Sequence, residues 1–167
     1  MRVLFAGSPA LAVPALERTA AVTEVAAVLT CCDQPVGRGG RIEASPVKTK
    51  ALELGIPVLQ PDRLDPAALE QVRALAPDLL VVAAFGMIFR PEFLSLFPMG
   101  GINVHPSLLP RHRGPSPISA AILEGDAETG VTIQNIAQRF DTGDILAQRA
   151  VPLRGDETTG SLTAALA

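Results

Sequence analysis

Asn103 and His105 stand two residues apart in Gly101-Ile102-Asn103-Val104-His105-Pro106-Ser107. In an extended strand that spacing puts an amide N–H₂ and an imidazole on one face, one pleat apart. Two such donors converging on a carbonyl oxygen are what acyl transfer through a tetrahedral intermediate requires. Taken alone, the pair fits equally well an asparagine that ends a strand on backbone groups and an ordinary half-buried histidine. A third group bears on the choice. Asp141-Thr142-Gly143-Asp144 is a turn between two strand-like runs, from which a carboxylate can project toward the same sheet edge. Beside His105 it would orient the ring and stabilise its charged form. Asp144 is expected to serve the turn alone.

The elements that must position these groups follow from short apolar, branched runs alternating with helical patterns, the signature of strands joined by crossover helices in a mostly parallel sheet. The fold class predicted is therefore α/β. Strands are predicted at Val3–Ala6, Val25–Thr30, Pro57–Leu59, Leu79–Ala84, Gly101–His105, Val131–Ile136 and Ile145–Val151, and helices at Leu11–Thr19, Pro46–Leu54, Pro66–Leu75, Pro91–Leu96 and Pro115–Glu124. Ser45-Pro46 and Asp65-Pro66 each supply a capping side chain followed by a proline at the first helical position. Asn103 and His105 then fall near the C-terminal end of a strand, where α/β sheets place their sites. The segment from Cys32 to Ala44 is longer than a usual βα connection and carries Gly37, Arg38, Gly39, Gly40 and Arg41, so it reads as a functional or mobile loop.

The bulk composition sets limits. The chain has 167 residues, 48% of them apolar, enough for one core and one domain. A formal charge of −3 disfavours nucleic-acid binding through a broad positive field and leaves room for a local basic patch. Cys31 and Cys32 are adjacent, which suits neither a disulfide nor a zinc site and points to a reduced, cytoplasmic setting without a metal. Gly7-Ser8-Pro9 breaks the first apolar run before it could act as a signal sequence, and no stretch approaches the roughly 18 apolar residues of a membrane helix. A lone Gly7 after the first strand is no dinucleotide fingerprint and no P-loop spacing occurs, so neither nicotinamide nor nucleoside triphosphate is expected. Leu162, Ala165 and Leu166 continue a helical pattern from Thr158, which predicts that Ala167 is not a natural domain boundary and that the domain is cut short there.

Asn103-Val104-His105-Pro106-Ser107-Leu108-Leu109-Pro110, then Arg113-Gly114, Gly130-Val131-Thr132 and Asp141-Thr142-Gly143-Asp144-Ile145-Leu146-Ala147-Gln148 together resemble the signature of the 10-formyltetrahydrofolate-dependent formyltransferases, in its usual order and over essentially the whole chain. The resemblance implies a Rossmann-like formyltransferase fold with Asn103, His105 and Asp141 as the catalytic trio. It also implies 10-formyltetrahydrofolate as co-substrate, held by Ser107, Leu108, Leu109 and Pro110, with Phe85, Gly86 and Met87 at the pterin or equally in core packing. The transfer it implies is direct, with no nucleophilic side chain.

Phe5-Ala6-Gly7-Ser8-Pro9, Ala12-Val13-Pro14, Asp33-Gln34-Pro35-Val36-Gly37-Arg38-Gly39 and Ser45-Pro46-Val47-Lys48 resemble the methionyl-tRNA branch of that family. This implies initiator Met-tRNA as acceptor, a role in translation initiation, and Arg38, Arg41 and Lys48 as cations for its phosphates. A solvated loop whose charges serve solubility is the alternative. A small amine acceptor, glycinamide ribonucleotide or an amino-sugar nucleotide, is a second enzymatic alternative, and a folate-binding fragment without turnover a third. A monomer is expected, and the C-terminal β-rich domain of the family's tRNA enzymes has no counterpart in these residues. The sequence departs from the branch at Leu11, at Cys31-Cys32, at His112 where a tryptophan is usual, and at Gln138-Arg139-Phe140 before Asp141. His112 is expected to be a surface or packing residue.

Overall fold

The computed structural model describes residues 1–37 and 40–167. Its elements in chain order are β1 (Arg2–Gly7), α1 (Val13–Val22), β2 (Glu24–Leu29), β3 (Gln34–Val36), β4 (Arg41–Glu43), α2 (Pro46–Glu53), β5 (Val58–Leu59), α3 (Pro66–Ala74), β6 (Leu79–Ala83), α4 (Pro91–Leu94), β7 (Gly101–His105), α5 (Pro117–Leu123), β8 (Glu128–Asn135), β9 (Ile145–Pro152) and α6 (Thr159–Leu166). Seven strands form a mostly parallel sheet in the order β5-β2-β1-β6-β7-β8-β9, while β3 and β4 pair separately. The chain divides into two compact units, Met1–Gly101 and Ile102–Ala167.

In the first unit β1 pairs in parallel with both β2 and β6, setting Phe5 beside Val28 and Val81. Val3, Leu4, Phe5 and Ala6 are fully buried, as a strand covered on both faces must be, which is why it reads as a continuous apolar run. Gly7 ends the strand where a Cβ would stand 2.7 Å from the Ala83 carbonyl oxygen, so the backbones meet there only without a side chain. Both predicted caps form. Ser45 Oγ accepts from Lys48 N at 3.0 Å and Asp65 Oδ1 from Ala68 N at 3.0 Å, each worth about 1 kcal/mol to its helix. Ser45 Oγ also lies 2.7 Å from Thr30 Oγ1, tying the end of β2 to the start of α2.

Two differences from the predicted elements have physical causes. The segment between Cys32 and Ala44 contains the hairpin β3–β4, with Gln34 opposite Glu43 and Pro35 opposite Ile42. Three-residue strands, one of them holding a proline, carry no period that a sequence could reveal. Helix α5 begins at Pro117 rather than Pro115, because Ser116 precedes a proline and is kept from the helical region, at φ −131° and ψ 46°.

In the second unit β8 pairs antiparallel with β7 and with β9. Register sets Asn103 opposite Gln134 and His105 opposite Thr132, and Thr132 opposite Gln148. Strand β8 turns Thr132 and Gln134 into the interior, 0% and 2% exposed. A buried polar face is the informative departure from ordinary alternation.

Candidate active site

Asp141 gathers the second unit's polar groups. Asn103 Nδ2 donates to its Oδ1 at 3.4 Å, and His105 Nδ1 lies 3.5 Å from the same oxygen, with the histidine and aspartate side chains 6% and 9% exposed. Gln134 Nε2 donates to Oδ1 at 2.8 Å, and the Gly114 N–H donates to Oδ2 at 2.8 Å. The backbone of Asp141 is left-handed, φ 52°, a conformation that costs a non-glycine residue roughly 1–2 kcal/mol and that aspartate tolerates better than most. Strain of this kind persists only where surrounding contacts hold it. Gly143, two residues on, passes so close to the Asn135 carbonyl that a Cβ would collide with it, so the turn requires glycine there.

His105 has an acceptor at each ring nitrogen. Opposite Asp141, its Nε2 lies 3.0 Å from the main-chain oxygen of His112, and only a ring carrying both protons can donate to both. Asn103 has a second amide hydrogen beyond the one given to Asp141. The site therefore offers a carboxylate, an amide donor and an imidazole held between two acceptors, a constellation able to stabilise an oxyanion and move a proton.

The segment after His105 is fixed by hydrogen bonds. Ser107 Oγ donates to the Arg111 carbonyl at 2.7 Å. Thr132 Oγ1 donates to the Ser107 carbonyl at 2.6 Å and accepts from Leu109 N at 3.1 Å and from Gln148 Nε2 at 2.8 Å. Ser107 and Leu109 are buried, Leu108 half-buried and Pro110 exposed. Within the expected folate-lining run, Leu108 and Pro110 are thus the accessible positions, and the Ser107 hydroxyl is engaged internally.

His112 is neither a surface residue nor a plain packing residue. Its side chain is 6% exposed and its Nε2 lies 2.6 Å from Oδ2 of Asp126, itself 5% exposed. That bond, and then the Arg111 guanidinium, hold the Asp126 carboxyl below its ordinary range. His112, Glu124 and Asp126 bring one ligand atom each within 4.8 Å of one another. The Arg111 guanidinium already lies on both carboxylates, 2.5 Å from Asp126 and 3.4 Å from Glu124.

The formyl transferase family model matches residues 1–167. The chain belongs to the formyl transferase family. It is 55% identical over 166 residues to the methionyl-tRNA formyltransferase of Roseiflexus sp. (strain RS-1), covering 98% of this chain and 51% of that protein. It is 51% identical over 174 residues to the methionyl-tRNA formyltransferase of Treponema pallidum (strain Nichols), covering 99% and 54%. The chain thus spans about half the length of the curated relatives it matches. Among solved structures, the phosphoribosylglycinamide formyltransferase from Bacillus halodurans aligns with TM-score 0.80 at 27% identity, over 99% of this chain and 87% of that one. The glycinamide ribonucleotide transformylase 1 from Symbiobacterium toebii aligns with TM-score 0.77 at 27% identity, over 99% and 80%.

The remaining expected positions lie in the first unit. Phe85 is buried and stacks on Phe89 at 5.5 Å, opening a series that continues through Phe93 and Phe97. Its ring is thus committed to packing, which leaves Gly86, exposed at φ 86°, and half-buried Met87. Lys48 Nζ lies 2.7 Å from Asp33 Oδ2, and the bonds from Gln60 and then Lys48 hold the Asp33 carboxyl below its usual value. Arg41 is exposed on β4; Arg38 lies outside the described residues. A cavity of about 390 Å³ in this unit, lined by Gln60, Asp62, Arg63 and Asp65 among others, contains none of the expected site residues.

Gln134, Thr132, Gln148 and the His112–Asp126 pair carry no role in the sequence reading. Their signal was present in part: Thr132 and Gln134 are polar at alternate positions of one apolar strand. The His112–Asp126 contact spans 14 residues and leaves no local trace.

Proposed function

We propose that the chain is the catalytic part of a cytoplasmic enzyme that transfers the formyl group of 10-formyltetrahydrofolate to the amino group of methionine on initiator tRNA. The observation that carries this reading is the convergence of Asn103 and His105 on Asp141 Oδ1 at 3.4 and 3.5 Å in a family member whose curated relatives are methionyl-tRNA formyltransferases. The neutral amine attacks the formyl carbon, a new C–N bond forms and the carbonyl oxygen becomes an oxyanion. The second Asn103 amide hydrogen and the His105 Nδ1–H receive that oxygen. The His105 contact to Asp141 is the loosest at the carboxylate, longer than a good hydrogen bond, and is the one that turns toward substrate. Asp141 orients the ring and accepts the proton leaving the amine, directly or through water. The bond to N10 then breaks, the proton passes to N10, and tetrahydrofolate departs.

A small amine acceptor is the second reading, favoured by the 0.80 TM-score to a phosphoribosylglycinamide formyltransferase. One assay separates them: formyl transfer measured with Met-tRNA, glycinamide ribonucleotide, an amino-sugar nucleotide and no acceptor, beside His105→Ala. Formyl-methionyl-tRNA is expected only with His105 present, and loss of that donor lowers the rate on the order of 100- to 1,000-fold. Transfer to a nucleotide alone replaces the acceptor, and wild-type turnover in His105→Ala removes the mechanism.

A further inference from the structure

His105 is gripped from both sides, and only one grip belongs to the expected trio. The other acceptor, the His112 carbonyl at 3.0 Å from Nε2, is a main-chain atom on a connection between strand and helix, so something must hold that connection. His112 has a left-handed backbone, φ 53°, which directs its side chain inward to Asp126 at 2.6 Å, both side chains nearly buried. Asp126 is itself set by its own N–H, which donates to the Ala121 carbonyl of α5 at 3.1 Å. A charge-assisted bond between buried partners is among the stronger polar contacts a protein makes, and it fixes geometry as well as adding energy. Two residues on, the Gly114 N–H donates to Asp141 Oδ2 at 2.8 Å. One three-residue stretch, 112–114, therefore touches both His105 and Asp141, and among the described residues its buried side-chain anchor is the His112–Asp126 pair.

We propose that His112 is a positioning residue for formyl transfer: its side chain clamps onto Asp126, which sets its carbonyl against His105 Nε2 and the Gly114 N–H against Asp141. This rests on the trio acting as described above. With Nε2 fixed on that carbonyl, the ring of His105 is left only the short swing of Nδ1 from its loose Asp141 contact to the substrate oxygen, so the transition state has less of it to order.

The chain has two histidines, so a sample labelled with 15N-histidine reports each ring separately by NMR, without any turnover. In Asp126→Ala the His105 Nε2–H resonance is expected to shift or exchange away, and kcat to fall about 10-fold or more. KM for both substrates should stay within about two-fold, since the contact touches neither. Asp126→Asn, whose amide oxygen still accepts from the His112 ring, should recover most of both readouts. Should Asp126→Ala fail to fold, His112→Gly keeps the left-handed backbone and deletes only the anchor, and is read in the same way. A folded variant whose His105 resonance and kcat match wild type overturns the proposal, as does a loss confined to KM. A purely structural pair would lower the melting temperature and leave the His105 resonance in place. His105→Ala run alongside keeps the two ideas apart: full transfer in that variant sinks the mechanism, whereas its loss beside an unaffected Asp126→Ala sinks the positioning role alone.

Discussion

Around Asp141 the polar atoms are buried or half-buried, each within 3.5 Å of a partner, and all come from the second unit. Around Arg41 and Lys48, in the first unit, the charges sit on a three-residue strand and in the first turn of a helix. Lys48 is paired with Asp33, and Arg41 is exposed. The contrast separates two demands on a protein surface. Steering a proton and an oxyanion requires atoms fixed to fractions of an ångström, which an antiparallel register and a strained turn can supply. Attracting a phosphate backbone requires only positive charge within reach.

Substitution of Gln134 tests the first half of the comparison and carries the largest expected effect of those that follow. Its amide donates to Asp141 at 2.8 Å, while its buried Oε1 has no partner among the described residues. An unsatisfied buried acceptor costs about 1–3 kcal/mol. Gln134→Leu therefore removes a penalty together with a hydrogen bond. The melting temperature should hold or rise while kcat falls about 10-fold, because Asp141 loses one of its two closest donors. Activity and stability falling in parallel would make Gln134 an ordinary core residue and blur the contrast.

The basic region calls for a different signature. Arg41→Ala should leave kcat unchanged, raise KM for Met-tRNA a few-fold (~3 to 10) and flatten the salt dependence of binding by about one phosphate contact. Lys48→Ala should do less, since Asp33 already neutralises that ammonium and most of its charge is not free for RNA. Filter binding of Met-tRNA over a salt series distinguishes the two. A kcat defect in Arg41→Ala, or a larger effect at Lys48 than at Arg41, would mean that this region positions substrate as well as attracting it.

The same contrast governs what the sequence disclosed. That Asn103 and His105 share a face is legible from strand period, and that a carboxylate can reach them is legible from the turn at Asp141; reading the three as one trio took the resemblance to the formyltransferase signature. The parallel sheet is legible in runs such as Val3-Leu4-Phe5-Ala6, whose burial on both faces leaves no polar alternation. Hairpin β3–β4 escapes because two three-residue strands have no period. The inward placement of the Ser107 hydroxyl escapes because it is settled by packing, and the aromatic stack favours the core alternative that the sequence left open for Phe85. The role of His112 escapes because its partner is 14 residues away and its influence runs through a carbonyl, an atom every residue shares.

The smallest expected effect compares two carboxylates held low by different means. Asp33 is held by Gln60 and Lys48, with Lys48 and Asp33 side chains 21% and 33% exposed. Asp126 is held by His112 and Arg111, and the His112–Asp126 pair is 6% and 5% exposed. A carboxyl whose value is depressed on folding adds stability above its unfolded value, near 3.9, and loses it as pH falls through the lower folded value. Wild type should therefore melt above Asp33→Asn and Asp126→Asn at neutral pH, and each lead should shrink as the solution is acidified below about pH 4. Salt then tells the two apart. Added sodium chloride at about 0.5 M brings the screening length to a few ångströms and weakens exposed pairs far more than buried ones. It should erase most of the Asp33 contribution and spare that of Asp126. Equal loss at both positions would place the His112–Asp126 anchor in water, and with it would go the contrast between the buried contacts near Asp141 and the exposed charges of the first unit.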